Sequence, residues 1–174
     1  RVCRAEEKEK DDMKQSKSDQ FEPLLSAGDA LQNAALCWRM HRGRVQVLLI
    51  TSRDTGRWVI PKGWPIKNLP PERSAAREAW EEAGVEGRAD PHCLGLYSYD
   101  KALGKLPGPR ASVPCLVAVY PLKVDALANR FPEAGQRKRK WFSPRKAARN
   151  VAEPELQALL AHLPRHLAEP PTAA

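Results

Sequence analysis

Cysteine is scarce in this chain and scattered. Cys3, Cys37, Cys93 and Cys115 form no C-x-x-C pair and no cluster with histidine, which excludes the common zinc sites. The pattern predicts free, buried thiols in a reducing cytoplasm. Long apolar runs are missing too. None approaches the roughly 20 residues a membrane helix needs, so no membrane association is expected from a spanning segment. Internal repeats are absent. Acidic residues are in deficit: 21 Asp and Glu stand against 29 Lys and Arg, a net charge of +8. Such a balance favours anionic partners, whether nucleic acid, phosphorylated metabolites or an acidic membrane surface, and does not choose among them.

What is present is enough for one domain. With 174 residues the chain can bury a real core but is short for two. The opening "RVCRAEEKEKDDMKQSKSDQ" is charged from the start and lacks the apolar stretch of a secretory signal. Residues 1–30 are therefore expected to be a disordered or extended tail. Residues 31–164 are expected to form the folded domain, and residues 165–174 a frayed C-terminal tail. "LQNAALCWRM" reads as a first strand, "HRG" as a turn and "RVQVLLITSR" as a half-buried second strand. "RWVIP" is a short third strand, and Lys62 to Leu69 is a Gly/Pro-punctuated loop. Farther on, "HCLGLYSYD", "VPCLVAVYPLKV" and "RKRKWFS" predict strands, and "KALGKLPGPRAS" an exposed loop. Ser143-Pro144 opens one helix, and "PELQALLAHL" is a second with an apolar stripe at Leu156, Leu159, Leu160 and Leu163. Strands, helix, strands, helices: the order indicates a mixed α/β (α+β) domain.

One helix carries chemistry. Pro70 and Pro71 suit its start, where a missing amide donor costs nothing, and Gly84 suits a left-handed cap at its end. At ~100° per residue, Glu78, Glu81 and Glu82 share roughly a quarter of the circumference, while Ala76, Ala79, Trp80 and Ala83 fall on the opposite arc. Arg77 stands four residues before Glu81 and can pair with it. A glutamate-rich face is most often simply solvated. Three carboxylates so close also repel one another, and a hard divalent ion relieves that repulsion. Oxygen ligands with open positions suit Mg²⁺, with Mn²⁺ as the alternative.

The residues from Gly63 onward decide between these readings. Gly63, then Arg77-Glu78, Glu81-Glu82, Gly84 and Val85 stand in the register of the Nudix box, G-x5-E-x7-R-E-U-x-E-E-x-G-U, with U a bulky aliphatic residue. The stretch resembles that box at every position except two. Ala79 is small for an aliphatic slot, and Leu69 stands where the first glutamate belongs; Glu72 lies near, but on the alanine side of the helix. The resemblance implies the Nudix fold, a mixed β-sheet sandwiched between α-helices, and metal-dependent hydrolysis of a phosphoanhydride. It implies that Glu78, Glu81 and Glu82 bind the metal, that Arg77 orients a box glutamate, and that the backbone of Gly63 faces metal or substrate. Either Glu78 or Glu82 is then the group that deprotonates water.

The resemblance extends beyond the box. "AALCWR", "VQVLLITSRDTGRWVIPKGW", "REAWEEAGV" and "RKRKWFS" are similar, in order and spacing, to segments of diphosphoinositol polyphosphate phosphohydrolases and their bacterial relatives. This implies an inositol pyrophosphate or a diadenosine polyphosphate as substrate. It also implies phosphate contacts at Arg39, Ser52, Arg53 and the Arg137-Lys138-Arg139 cluster. Charge points the same way, because a substrate with many phosphates needs cations outside the metal site; Lys62, Lys67 and Arg110 are further candidates. The "RKRK" run is equally readable as a generic basic patch, and Lys105 and Arg110 as ordinary loop cations. Trp38, Trp64 and Trp141 offer stacking surfaces for an adenine, though tryptophan is more often core or half-buried. Two other functions remain open: a nucleoside diphosphate-X or capped-RNA hydrolase, and a non-catalytic anion- or RNA-binding module on the same scaffold.

Overall fold

Strand periodicity gives the middle of the chain two opposite apolar faces, and helices cover both. The computed structural model describes residues 30–102 and 112–168. Strand β1 (Ala30–His41) turns through Arg42 and Gly43, at φ 49° and 70°, into β2 (Arg44–Thr51). Two successive positive φ values are what a tight two-residue hairpin demands. Short strands β3 (Trp58–Val59) and β4 (Lys62–Gly63) lead to helix α1 (Pro71–Ala83). Strands β5 (Val85–Ala89), β6 (Gly95–Ala102) and β7 (Ser112–Leu127) follow, then β8 (Arg139–Phe142), α2 (Pro144–Asn150) and α3 (Pro154–Ala168).

The eight strands form one mixed sheet whose backbone order is β3-β2-β1-β7-β5. The long central pair β1 and β7 is parallel, from Ala30↔Cys115 to Trp38↔Lys123. The remaining pairs are antiparallel. On its other edge β1 meets β2 only from Trp38 to His41, whereas Asn33 and Ala34 pair with Gly63 and Lys62 of β4. The sheet thus splits along that edge, and β4 fills the split.

Alternate residues sort cleanly between the faces. Leu36, Val47, Leu49, Val117 and Val119 pack beneath α2 and α3 with Leu156, Leu160 and Leu163. Ala35, Cys37, Leu48, Ile50, Ala118 and Tyr120 pack beneath α1 with Ala75, Ala79 and Ala83. Each fully buried leucine contributes about 1.5–3 kcal/mol, so the stripe of α3 anchors that helix firmly. The predicted sandwich of a mixed sheet between helices is therefore observed.

Four local expectations change. Lys62 and Gly63 are paired strand rather than loop, because Pro61 lacks the amide to continue β3 and the chain shifts to a new partner. Strand β5 was not anticipated from its sequence: "VEGRA" does not alternate, and its register shifts between Glu86 and Gly87. Helix α3 runs on through Pro164 to Ala168, past the expected domain end at 164. Strands β6 and β7 extend to Ala102 and from Ser112 into the predicted loop; its Lys105 and Arg110, like most of the expected N-terminal tail, lie outside the described residues.

Candidate active site

Helix α1 is held by its alanines, and that fixes where its glutamates go. Ala75, Ala79 and Ala83, spaced four apart, are wholly buried against the sheet. Pro71 occupies the first turn, and Gly84, at φ 63°, closes the helix by donating its N–H to the Trp80 carbonyl at 2.8 Å. The opposite face presents Glu78, Glu81 and Glu82 to an open cleft of about 890 Å³.

Strand β4 forms one wall of that cleft. Gly63 is placed there by its pairing with Asn33 of β1. A Cβ on Gly63 would lie 2.1 Å from Cδ of Glu78, so the glycine is the seat of that carboxyl group. The neighbouring Lys62 N–H donates to Oε2 of Glu82 at 3.2 Å. Arg137 donates through Nη2 to Oε1 of Glu82 at 2.5 Å and through Nε to Oε2 of Glu133 at 2.7 Å. Its side chain is only 7% exposed, and a third bond, to the Thr51 carbonyl at 3.2 Å, fixes it to β2. Arg53 reaches Glu133 at 3.1 Å, and Arg77 pairs with Glu81 at 2.5 Å along the helix, as the four-residue spacing predicts.

Glu78 differs from its neighbours. Among the described residues it has no hydrogen bond or ion pair, and it is half-buried. Burial, followed by the charges of Glu82, Glu81 and Glu133, pushes its pKa up to about 7, against a smaller opposing pull from Arg137. Burial also raises Glu82, opposed by Arg137 and Lys62. Lys62 is lowered by its own burial, with Glu82 pulling the other way. No three acidic, histidine or cysteine side chains among the described residues stand in a ready ligand geometry, because Glu81 and Glu82 are each drawn to an arginine. The chemistry nevertheless fits a hard cation: the donors are all carboxylate oxygens, the four glutamates Glu78, Glu81, Glu82 and Glu133 line one cleft together with Asp54 and Asp100, and Glu78 has no counter-charge of its own.

Of the residues expected from sequence, Gly63, Glu78, Glu81, Glu82, Ser52, Arg53, Lys62 and Arg137 line this cleft. Arg77 stands behind Glu81. The other cations are not brought to it. Arg39 donates twice to Gln46, at 3.0 and 2.9 Å, and lies 4.0 Å above the Trp141 ring. Arg139 donates to the carbonyls of Ala83 and Ala128 at 2.8 and 3.0 Å and covers Phe131. Both guanidinium groups thus serve the framework. Lys67 and Lys138 are exposed and outside the lining. Of the three tryptophans, Trp64 alone lines the cleft; Trp38 and Trp141 pack at the edges of the core. Leu69 is partly buried in a turn, its N–H on the Ile66 carbonyl, and Glu72 is absent from the lining.

Sequence reasoning missed five charged residues here: Asp54, Arg57, Asp100, Lys101 and Glu133. Glu133 is the fourth glutamate of the cleft, and its spacing of four from Arg137 was the available signal. Its N–H also donates to the Glu81 carbonyl at 3.0 Å, which zips the loop to the end of α1. Arg57 lines the cleft and pairs with Glu153 at 2.6 Å, a contact across 96 positions that no local pattern announces. Lys101 also lines the cleft, with Nζ 4.6 Å from the Trp64 ring centroid.

Comparison with known proteins agrees with this geometry. The family model described as NUDIX domain matches residues 30–163. Human diphosphoinositol polyphosphate phosphohydrolase 3-alpha is 30% identical over 135 residues, covering 76% of this chain and 71% of that protein. Among solved structures, an Ap4A hydrolase of C. elegans superposes with a TM-score of 0.58 at 19% identity, covering 80% of this chain and 98% of that one. The NUDIX domain of Shewanella oneidensis NrtR complexed with ADP ribose gives 0.57 at 14% identity, covering 87% and 99%.

Proposed function

The chain belongs to the NUDIX family as a hydrolase, and from that premise we propose that it is a Mg²⁺-dependent pyrophosphohydrolase. Its substrate is a highly phosphorylated small molecule, an inositol pyrophosphate or a diadenosine polyphosphate. One observation carries the reading: four glutamates, two aspartates and the cations Arg53, Arg57, Lys62, Lys101 and Arg137 line the same cleft. The cleft therefore offers both a place for a hard cation and a basic wall for phosphates. The match to diphosphoinositol polyphosphate phosphohydrolases supports the substrate class.

Glu78, Glu81 and Glu82 would hold Mg²⁺, or Mn²⁺ in its place, with Glu133 adjacent. When bound, the ion neutralises phosphate charge and polarises the scissile phosphoryl group. The chain's own groups do the positioning. Arg53 and Lys101 receive the outer phosphates, and the half-buried Lys62 and the nearly enclosed Arg137 receive those nearest the glutamates. Glu78 or Glu82 takes the proton of the attacking water as its oxygen bonds to phosphorus and the bridging P–O bond breaks. The departing phosphate leaves with the bridging oxygen. Phosphoryl transfer needs little beyond such positioning and charge.

The test is hydrolysis of inositol pyrophosphates, diadenosine polyphosphates, nucleoside triphosphates and capped RNA by wild type and Glu81→Gln, read as released phosphate for the first and third and as separated nucleotide products for the second and fourth. We expect Mg²⁺-dependent hydrolysis of the first two classes, falling about 100-fold or more in the variant. Activity confined to capped RNA or nucleoside triphosphates would make it a nucleotide-directed hydrolase instead. Salt-sensitive RNA binding without hydrolysis would make it a binding module instead.

A further inference from the structure

We propose that the groove between β5, β7 and the end of α3 is a second binding site, for a small organic anion that joins one phosphate or carboxylate head to an apolar body. None of the residues lining this groove lines the cleft. Trp38 and Leu167 pack on the core beneath α2 and α3, so the groove opens on the face of the sheet away from the glutamate helix. Its volume is about 440 Å³, within the roughly 300–1,000 Å³ of small-molecule sites.

Sheet register sets its chemistry. Arg88 of β5 is the direct cross-strand partner of Lys123 of β7, and Lys123 is that of Trp38 of β1. Three strands thus place two cations and an indole in one row. Like charges directly opposite one another destabilise a sheet. Nothing among the described residues offsets this pair, because neither Arg88 nor Lys123 forms an ion pair or a side-chain hydrogen bond. Asp125, two residues along β7 from Lys123, lines the groove without pairing to either cation, and Asp90 is bonded to His92 at 2.8 Å. An anionic head bridging Arg88 and Lys123 would turn the repulsion into two charge-assisted hydrogen bonds.

The other half of the groove is apolar. Pro121 is buried in its floor, and Trp38 and Leu167 are each half-buried beside it. A ring or chain seated there takes the open part of the indole out of water, which a bare anion cannot do. A neutral apolar molecule leaves the two cations opposed. The full arrangement is met only by a ligand with both parts. The two aspartates also set an upper limit on its charge, because each further phosphate would face a carboxylate; the groove therefore takes one anionic head, unlike the cleft.

Tryptophan supplies a separate reporter for each site. In protein labelled with fluorotryptophan, the fluorine resonances of Trp38 and Trp64 are identified by Trp38→Phe and Trp64→Phe, and they report groove and cleft respectively. Phenyl phosphate and phenylacetate are the probes, and inorganic phosphate and benzyl alcohol supply their separate halves. We expect the Trp38 resonance to shift saturably with at least one probe, at a concentration about tenfold or more below that needed of either half. The tighter probe names the head group. Arg88→Gln/Lys123→Gln should weaken that response about tenfold or more, while the Trp64 resonance stays at its wild-type position. Lys123→Gln alone should raise the urea midpoint, because it removes one of two opposed like charges. A Trp38 resonance that neither probe moves, that inorganic phosphate moves at the same concentration, or that responds equally in the double variant would overturn the site. So would a lower midpoint for Lys123→Gln, which would give Lys123 a structural partner.

Discussion

Replacing Glu78 by glutamine should make the metal-free protein more stable at slightly alkaline pH. The unfolded group titrates near 4.5, and burial among like charges pushes the folded group up to about 7. Below 4.5 both states hold the protonated acid, and the favourable contribution is complete. Between 4.5 and about 7 the folded protein retains a proton that the unfolded chain has released, so stability falls as pH rises. Above about 7 the contribution is lost, and wild type carries an unpaired, half-buried charge. At about 1.36 kcal/mol per pH unit this displacement sets a ceiling of about 3.4 kcal/mol. Because the side chain is half-exposed to solvent, screening reduces it to about 1–2 kcal/mol. Glutamine keeps the shape and removes the charge. In EDTA, Glu78→Gln should therefore exceed wild type by about 1–2 kcal/mol at pH 8 and by almost nothing at pH 4, read from urea denaturation. Millimolar Mg²⁺ should reverse the order, because an ion that binds only the folded state stabilises wild type and has lost a ligand in the variant. A variant no more stable than wild type at pH 8, or one that gains as much from Mg²⁺, would refute both the repulsion and the ion site.

Other perturbations test separate parts of the arrangement. Gly63→Ala places a methyl group where the Glu78 carboxyl sits; turnover should fall about 100-fold or more, with a stability loss of about 1–3 kcal/mol in urea. Arg139→Ala leaves the Ala83 and Ala128 carbonyls without their partner and should cost about 2 kcal/mol of stability. Its KM should move less than that of Arg53→Ala, whose exposed cation faces the cleft; the reverse order would return Arg139 to the substrate. Arg53→Ala should raise KM several-fold and reduce its dependence on salt, measured from 50 to 300 mM NaCl, roughly as loss of one screened phosphate contact requires.

The glutamate face of α1 was legible because three things coincided locally: helical spacing, a docking face of alanines and a leading glycine. Such signals need only one turn of helix or one loop to be read. The sandwich was legible for the same reason, since alternation in β1, β2 and β7 is a property of each strand alone. The phosphate contacts were not, because an arginine's charge is visible in sequence but its direction is not. Arg39, Arg137 and Arg139 look alike in one dimension. Only the packing shows Arg139 spent on two carbonyls, Arg39 on Gln46 and Trp141, and Arg137 on the cleft carboxylates. Glu133 escaped because its role comes from a backbone bond to Glu81, and β5 because a bulged strand breaks the alternation that reveals strands.

The pair between Arg57 and Glu153 gives the C-terminal helices a stake in the chemistry. Glu153 precedes α3, which has no residue on the cleft, and it is nearly buried with one oxygen, Oε2, left unpartnered. Its other oxygen holds Arg57 from behind. Rotation or loosening of α3 on the sheet would therefore change the tension on a cleft-lining guanidinium, although nothing in the cleft itself had been altered. The helix acts as a mooring line, and the reach of one cleft cation is set from the far side of the sheet.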